Sequence, residues 1–162
     1  MLLWFVGTAV VSVWFIFHDD AFDYRPLIAG ALLPDVVDVF FGGARVMHTV
    51  VASVAVMTVI VLTTSRHKPT RSHLMPLAIG LFMHLVFDAA FAKTKVFWWP
   101  FSGLHFGDAS LPVADRWLAN IALELIGAFL IRWSWERFGL ASDENRKRFL
   151  ANGWLVDQKR RN

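Results

Sequence analysis

Long stretches of the 162-residue chain contain almost no charged side chains. Residues 1–18, 46–65 and 72–92 include a single Lys, Arg, Asp or Glu between them, Asp88. Each stretch has about the 17–25 residues that a helix needs to cross a bilayer. Ionisable groups are costly in hydrocarbon and therefore collect at the ends of spanning helices. The pattern predicts a set of membrane-spanning helices.

Two further segments are apolar but interrupted. Residues 117–135 carry only Glu124 centrally and Arg132 at the end, where a long side chain can reach the interface. Residues 26–41 are shorter and contain two acids and Pro34. We expect this segment to be a broken span or a re-entrant helix, which hydrocarbon tolerates only where it lines a cavity or packs on protein. The predicted fold is an all-α, polytopic membrane bundle of four to five spans.

Composition agrees with a membrane domain. Hydrophobic residues make up 56% of the chain and charged residues 18%, against about 45–50% and about 25% in soluble domains. Cysteine is absent from the sequence. Disulfides, thiolate metal sites and a cysteine nucleophile are therefore excluded.

Basic residues predict the orientation. Residues 136–162 hold seven basic and four acidic side chains, and the 65–72 loop adds three basic ones. The positive-inside rule places both on the cytoplasmic side. We therefore predict a membrane-embedded domain over 1–135 and a basic cytoplasmic tail over 136–162, in which a helix after Ser142 either rests on the headgroups or is solvated. Nucleic-acid binding is not expected, because the basic residues alternate with acids and no recognition module is present.

The polar residues inside the apolar stretches predict a site. Asp35 and Asp38 are three residues apart, and His84 and Asp88 are four apart, so each pair shares a helix face. His48 stands at the start of the third span. Under the predicted orientation all five lie toward the external ends of their segments, at similar depth. Such ionisable groups are functional candidates by default.

Imidazoles and carboxylates at one depth favour a divalent metal ion. These ligand types suit Zn, Mn or Fe, and buried carboxylates require a cation, a proton or a basic partner. The five residues allow one metal with supporting contacts or two metals that share a carboxylate. Glu124, or a carboxylate that does not ligate such as Asp38, is the candidate general base.

Other polar and aromatic residues are secondary candidates. Trp99 and His105 fall in the predicted external loop, where they can contact a substrate or lipid headgroup. Four further residues would add ligands only if the loop after the first helix is external: His18, Asp19, Asp20 and Asp23.

The order of these motifs resembles a bacterial family of inner-membrane, LexA-regulated, metal-dependent hydrolases. The resemblance covers roughly residues 24–107 and rests on an ordered set of short motifs. These are Leu-Leu-Pro-Asp-x-x-Asp at 32–38, His48-Thr49, His84-x-x-x-Asp88 and Trp99-Pro100-Phe101. The resemblance implies a location in the bacterial cytoplasmic membrane and hydrolysis as the reaction. It also implies that the metal ligands are Asp35, Asp38, His48, His84 and Asp88.

Together these observations predict an integral membrane hydrolase. Water activated by a divalent metal would attack an ester or phosphoester, and the position at headgroup level favours a lipid or lipid-linked substrate. The competing prediction is a non-enzymatic membrane protein, either a small ion or proton carrier or a scaffold.

Overall fold

A computed structural model of the chain describes residues 1–40, 46–64, 69–105 and 117–158. Within these ranges the chain is helical and forms no strand, which confirms the predicted all-α class. The helices are α1 (Leu2–Phe17), α2 (Tyr24–Val39), α3 (Val50–Thr63), α4 (Pro69–Phe87), the single-turn α5 (Thr94–Phe97), α6 (Trp117–Arg137) and α7 (Asp143–Asn152). Two 3₁₀ turns, Val46–His48 and Ala90–Ala92, precede α3 and α5. Part of the predicted basic side, namely Arg66, Lys68 and residues 159–162, lies outside the described residues.

Helices α1 and α6 lie side by side and run in the same direction. At one end the backbone N–H of Leu3 donates a hydrogen bond to Glu124 Oε2 at 2.9 Å. At the other end the Arg137 guanidinium lies 5.1 Å from the centre of the Trp14 ring. Both helices therefore begin at the same end of the bundle.

Helices α2 and α4 also run in the same direction, opposite to α1. His73 contacts Asp23 at the start of both helices, and His84 contacts Asp35 near their ends. Phe5, near the start of α1, packs on His84. We call the end of the bundle that holds His84 the histidine end and the end that holds Asp23 the tail end. Since α3 connects α2 to α4, it returns from the histidine end to the tail end.

Glycines bring paired helices into backbone contact. A Cβ at Gly30 would overlap the carbonyl oxygen of Leu77 on α4, and one at Gly80 would overlap the backbone of α2. Gly7 and Gly127 stand in the same relation between α1 and α6. Small residues permit such close approach between helices. The α2–α4 crossing fixes the spacing of the two helices that carry Asp35 and His84.

Helix α2 is continuous from the tail end to the histidine end. It begins at Tyr24 and ends at Val39, with Pro34 inside it. The expectation of a break is therefore wrong for residues 26–39. The missing N–H of Pro34 costs one helical hydrogen bond, and the packing of α2 along α4 keeps the helix intact.

By length and composition, one helix is able to cross a membrane. The stretch Leu118–Arg137 has 20 residues of sufficient apolar character. Two more helices, Leu2–Phe17 and Val50–Thr63, are apolar but shorter. Helix length alone thus supports a single span in the described chain, fewer than the four to five predicted.

A polar cluster closes the tail end. The Asp23 carboxylate caps α2 and accepts hydrogen bonds from the Arg25 side chain and from His73 Nδ1 at 3.0 Å. Arg25 Nη1 donates to the carbonyls of Leu150 and Ala151 at 2.8 and 2.9 Å, at the end of α7. Burial alone would raise the pKa of the Asp23 carboxyl, but the bonds from Arg25 and His73 outweigh it and hold the pKa below its ordinary value of 3.8.

The segment after α7 packs on the bundle. Leu155 joins the core formed with Trp14 and Phe138, and Arg137 pairs with buried Asp157 at 2.7 Å. The predicted boundary between 135 and 136 falls inside α6. The described part of the tail, to residue 158, is therefore held against the helices.

Candidate metal centre

Three side chains from three segments meet at the histidine end. Asp35 comes from the last turn and a half of α2, His48 from the 3₁₀ turn before α3 and His84 from the end of α4. They form a group whose ligand atoms could hold a metal ion. Both imidazoles are buried, while Asp35 keeps 25% of its side chain exposed.

A capped turn holds His48 in place. The Thr49 hydroxyl donates to the Val46 carbonyl at 2.8 Å and accepts from the N–H of Ala52 at 3.0 Å. Thr49 is therefore the N-cap of α3, in extended conformation, and the 3₁₀ turn ends directly before it. This local arrangement, set by Thr49, directs the preceding imidazole into the bundle.

The Nδ1 atom of each imidazole is bound to a fixed acceptor. His48 Nδ1 lies 2.7 Å from Asp38 Oδ2, and His84 Nδ1 lies 2.7 Å from the carbonyl oxygen of Ala31. A carbonyl and a carboxylate only accept, so each Nδ1 carries the proton. In the neutral imidazoles each Nε2 then presents a lone pair.

The two lone pairs converge with a carboxylate oxygen. The Nε2 atoms of His48 and His84 are 3.4 Å apart. Asp35 Oδ1 lies 3.6 Å from the first and 3.5 Å from the second. This oxygen is buried and has no hydrogen-bond partner. Three electron-rich atoms at these distances repel one another unless a cation or a proton lies between them.

The edges of this triangle match a tetrahedral metal site. Ligands at about 2.0–2.1 Å from a metal in tetrahedral geometry are separated by about 3.3–3.4 Å. The observed edges of 3.4, 3.5 and 3.6 Å are close to that value. The residues therefore fit a metal ion, with one coordination position left for water or substrate.

Not all five predicted ligands belong to this group. Asp38 is 1% exposed and contacts His48 from behind, as the orienting carboxylate of a metal-bound histidine does. Asp88 is buried directly after α4, where its N–H bonds to the His84 carbonyl. The structure thus brings Asp35, His48 and His84 together.

The remaining candidates occupy other positions. Glu124 accepts from the Leu3 backbone, at the start of α1. Trp99 and His105 follow α5, and the indole N–H of Trp99 donates to the Leu104 carbonyl at 3.2 Å within that loop. The α1–α2 turn puts His18, Asp19, Asp20 and Asp23 at the tail end, so they cannot add ligands to the group of three.

Two neighbours of the site were not predicted from the sequence. The Ala31 carbonyl orients His84, and the Phe5 ring packs on that imidazole with centres 3.9 Å apart. A backbone carbonyl leaves no trace in residue type. The position of Phe5 depends on how α1 packs against α4, which the apolar pattern of α1 does not specify.

Comparison of the chain with protein-family models, with curated proteins and with solved structures gave no match.

Proposed function

We propose that the chain is an integral membrane hydrolase that uses a divalent metal ion held by Asp35, His48 and His84. The observation that carries this proposal is the convergence of Asp35 Oδ1 and two Nε2 lone pairs within 3.6 Å. A metal bound there supplies an activated water and a Lewis acid for an ester or phosphoryl oxygen. Zn, Mn and Fe all accept this ligand set.

Exposed apolar helix faces support a bilayer setting. Soluble monomers rarely expose contiguous apolar patches of more than a few hundred Å². Here large apolar side chains are exposed along both α3 and α6, among them Val54, Val59, Leu62, Leu118, Leu125 and Phe129. Helices shorter than the hydrocarbon core are accommodated by local thinning of the bilayer. We therefore propose that α1, α2, α3, α4 and α6 all cross it.

The basic tail sets the orientation in this proposal. The positive-inside rule places α7 and the tail end in the cytoplasm. The histidine end then faces the outer side of a bacterial cytoplasmic membrane. The aromatic loop after α5, with exposed Trp98, Phe101 and Leu104, lies at the same end and suits the headgroup region. A lipid or lipid-linked substrate, contacted by Trp99 and His105, follows from this placement.

Other residues of the chain orient the two imidazoles and accept the proton. Asp38 holds the His48 imidazole in the tautomer that turns Nε2 toward the site. The Ala31 carbonyl does the same for His84. We assign Asp88 as the proton acceptor, because it is buried one helical turn after His84, with its N–H bonded to the His84 carbonyl. Glu124, the base suggested by the sequence, is bound to the start of α1.

A carrier is the competing function. A proton relay needs ionisable groups spread through the membrane depth. In the described chain the ionisable clusters lie at the two ends of the bundle, around His84 and around Asp23. Between the two ends, the buried polar residue of α1 is Thr8 and that of α3 is Ser53. This distribution favours a single site over a pathway.

Elemental analysis tests the metal. The purified protein should contain stoichiometric metal, and Asp35→Ala and His84→Ala should lose it. His73→Ala, which removes an imidazole at the tail end, is the matched control and should retain it. A wild-type protein without metal, or unchanged metal in the two site variants, overturns the assignment.

An activity screen tests the reaction. Carboxyl and phosphate esters would be offered to the protein in detergent, with and without a chelator. Turnover that the chelator removes and added metal restores supports hydrolysis. Stoichiometric metal without turnover of any ester would favour the carrier.

A further inference from the structure

An apolar groove lies between α1, α3 and α4. Its volume is about 420 Å³, within the range of ligand-binding sites. The lining includes Phe17 from α1, Ser53, Val54 and Met57 from α3, and Ala78 and Phe82 from α4. Ser53 supplies the one polar side chain among the lining residues. The groove therefore offers hydrophobic contact and almost no hydrogen bonding.

One end of the groove lies at the level of the candidate metal centre along the bundle. Met83 lines it and directly precedes His84 in α4. Ser53 also lines it, and its backbone N–H bonds to the carbonyl of Thr49, the residue after His48. From there the lining continues toward the tail end as far as Ile16 and Phe17 near the end of α1. The groove thus runs along the bundle axis from about the level of the metal centre toward the tail end.

The groove is open along its side. Val54 and Phe82 are 50% and 44% exposed at its wall. In a bilayer this opening faces lipid, so a hydrocarbon chain can enter laterally without crossing water. Met57 and Met83 add flexible thioether side chains, which adapt to a chain of variable shape.

We propose that this groove binds the hydrocarbon chain of a lipid substrate whose polar head reaches Asp35, His48 and His84. This inference rests on the proposed metal site and narrows the proposed lipid or lipid-linked substrate to a lipid with a headgroup ester next to a long linear chain. Affinity should then depend on chain length, because each buried methylene contributes favourable transfer free energy.

Alkylphosphonates of different length test the groove without turnover. The protein would be loaded with Co²⁺ in lipid nanodiscs, and binding of butylphosphonate and tetradecylphosphonate followed by the visible absorption of the cobalt. Val54→Trp and Met57→Trp fill the groove. Leu62→Trp places the same side chain on an exposed position of α3 outside the lining, and is the control.

The benefit of the long chain is measured by the dissociation constant of butylphosphonate divided by that of tetradecylphosphonate. We expect this ratio to be at least tenfold lower in Val54→Trp and Met57→Trp than in the wild type, and unchanged in Leu62→Trp. Butylphosphonate should bind all four proteins equally. Partition of the long chain into the nanodisc is common to all of them and cancels in the comparison. An unchanged ratio in both groove variants overturns the groove while the metal site stands. Absence of a cobalt spectrum in the wild type overturns the metal site, and the groove proposal falls with it.

Discussion

Asp38 Oδ2 and His48 Nδ1 lie 2.7 Å apart, and both side chains are almost completely buried. The carboxylate accepts the imidazole N–H and thereby fixes which nitrogen is free to bind a cation. Asp38 is thus next to the ligand group without joining it. Asp35 and Asp38 are three residues apart in the sequence, yet Asp35 belongs to the ligand group and Asp38 orients a ligand.

Asp38→Asn should weaken metal binding without abolishing it. The amide oxygen still accepts from Nδ1 but lacks the charge that makes imidazole a stronger ligand. Loss of such an outer partner typically costs about 10–100-fold in affinity. Equilibrium dialysis against a metal buffer measures it. Asp35→Asn is the contrasting variant and should lose more affinity, since it alters a direct ligand; equal losses in the two would contradict the assignment.

Asp88→Asn should lower turnover and leave metal content unchanged. General-base catalysis contributes about 10²–10⁴-fold, and the amide cannot accept the proton. The hydrolysis rate of an ester that the wild type turns over measures the first quantity, and elemental analysis of the same sample measures the metal content. Glu124→Gln is the matched variant, which we expect to stay within a few-fold of wild type. The reverse order would make Glu124 the base.

The sequence predicted the helices well because charge marks their ends. The stretches 46–65 and 72–92 correspond approximately to α3 (Val50–Thr63) and α4 (Pro69–Phe87). The continuity of α2 was not predictable. Its acids and Pro34 weaken the local signal, whereas packing against α4 through Gly30 overrides it.

The site was predictable as a set of residues and not as a geometry. Helical spacing placed Asp35 and Asp38 on one face, yet only the turn before α3 determines which of them meets His48 Nε2. The role of the Ala31 carbonyl depends on the helix crossing and carries no sequence signal.

Gly80→Ala should destabilise the protein and weaken metal binding together. The new Cβ overlaps the α2 backbone, so the helices must separate. Overpacking typically costs about 1–3 kcal/mol, and the same shift moves His84 away from Asp35. Ala29→Leu, a larger addition on an exposed position of α2, is the control and should be near neutral. Denaturant unfolding and metal titration provide the measurements; normal affinity in Gly80→Ala would mean that the crossing does not position the site.

Acidification should remove the contribution that Asp23 makes to the free energy of unfolding. Its pKa is lowered in the folded protein, so its stabilisation is complete above the ordinary value of 3.8 and is lost as the pH falls through the still lower folded pKa. Asp23→Asn should therefore be less stable than the wild type at neutral pH, because Arg25 and His73 then lack the charge with which they pair. Thermal unfolding between pH 7 and strong acid should show the two curves converge only at the acid end. A difference that is constant with pH would show that the charge of Asp23 contributes nothing.

Val59→Lys should separate a bilayer setting from an aqueous one. Val59 lies on α3 between the histidine end and the tail end with 59% of its surface exposed, and Leu150 on α7 is 70% exposed. A lysine at the centre of a membrane helix costs about 2.5–3.5 kcal/mol, whereas surface substitutions in water stay within about ±0.5 kcal/mol. Unfolding in bicelles should thus show a large loss of stability for Val59→Lys and almost none for Leu150→Lys, because the tail helix lies outside the hydrocarbon. Since both side chains are largely exposed, equal and small effects would place both in water and contradict the proposed spans.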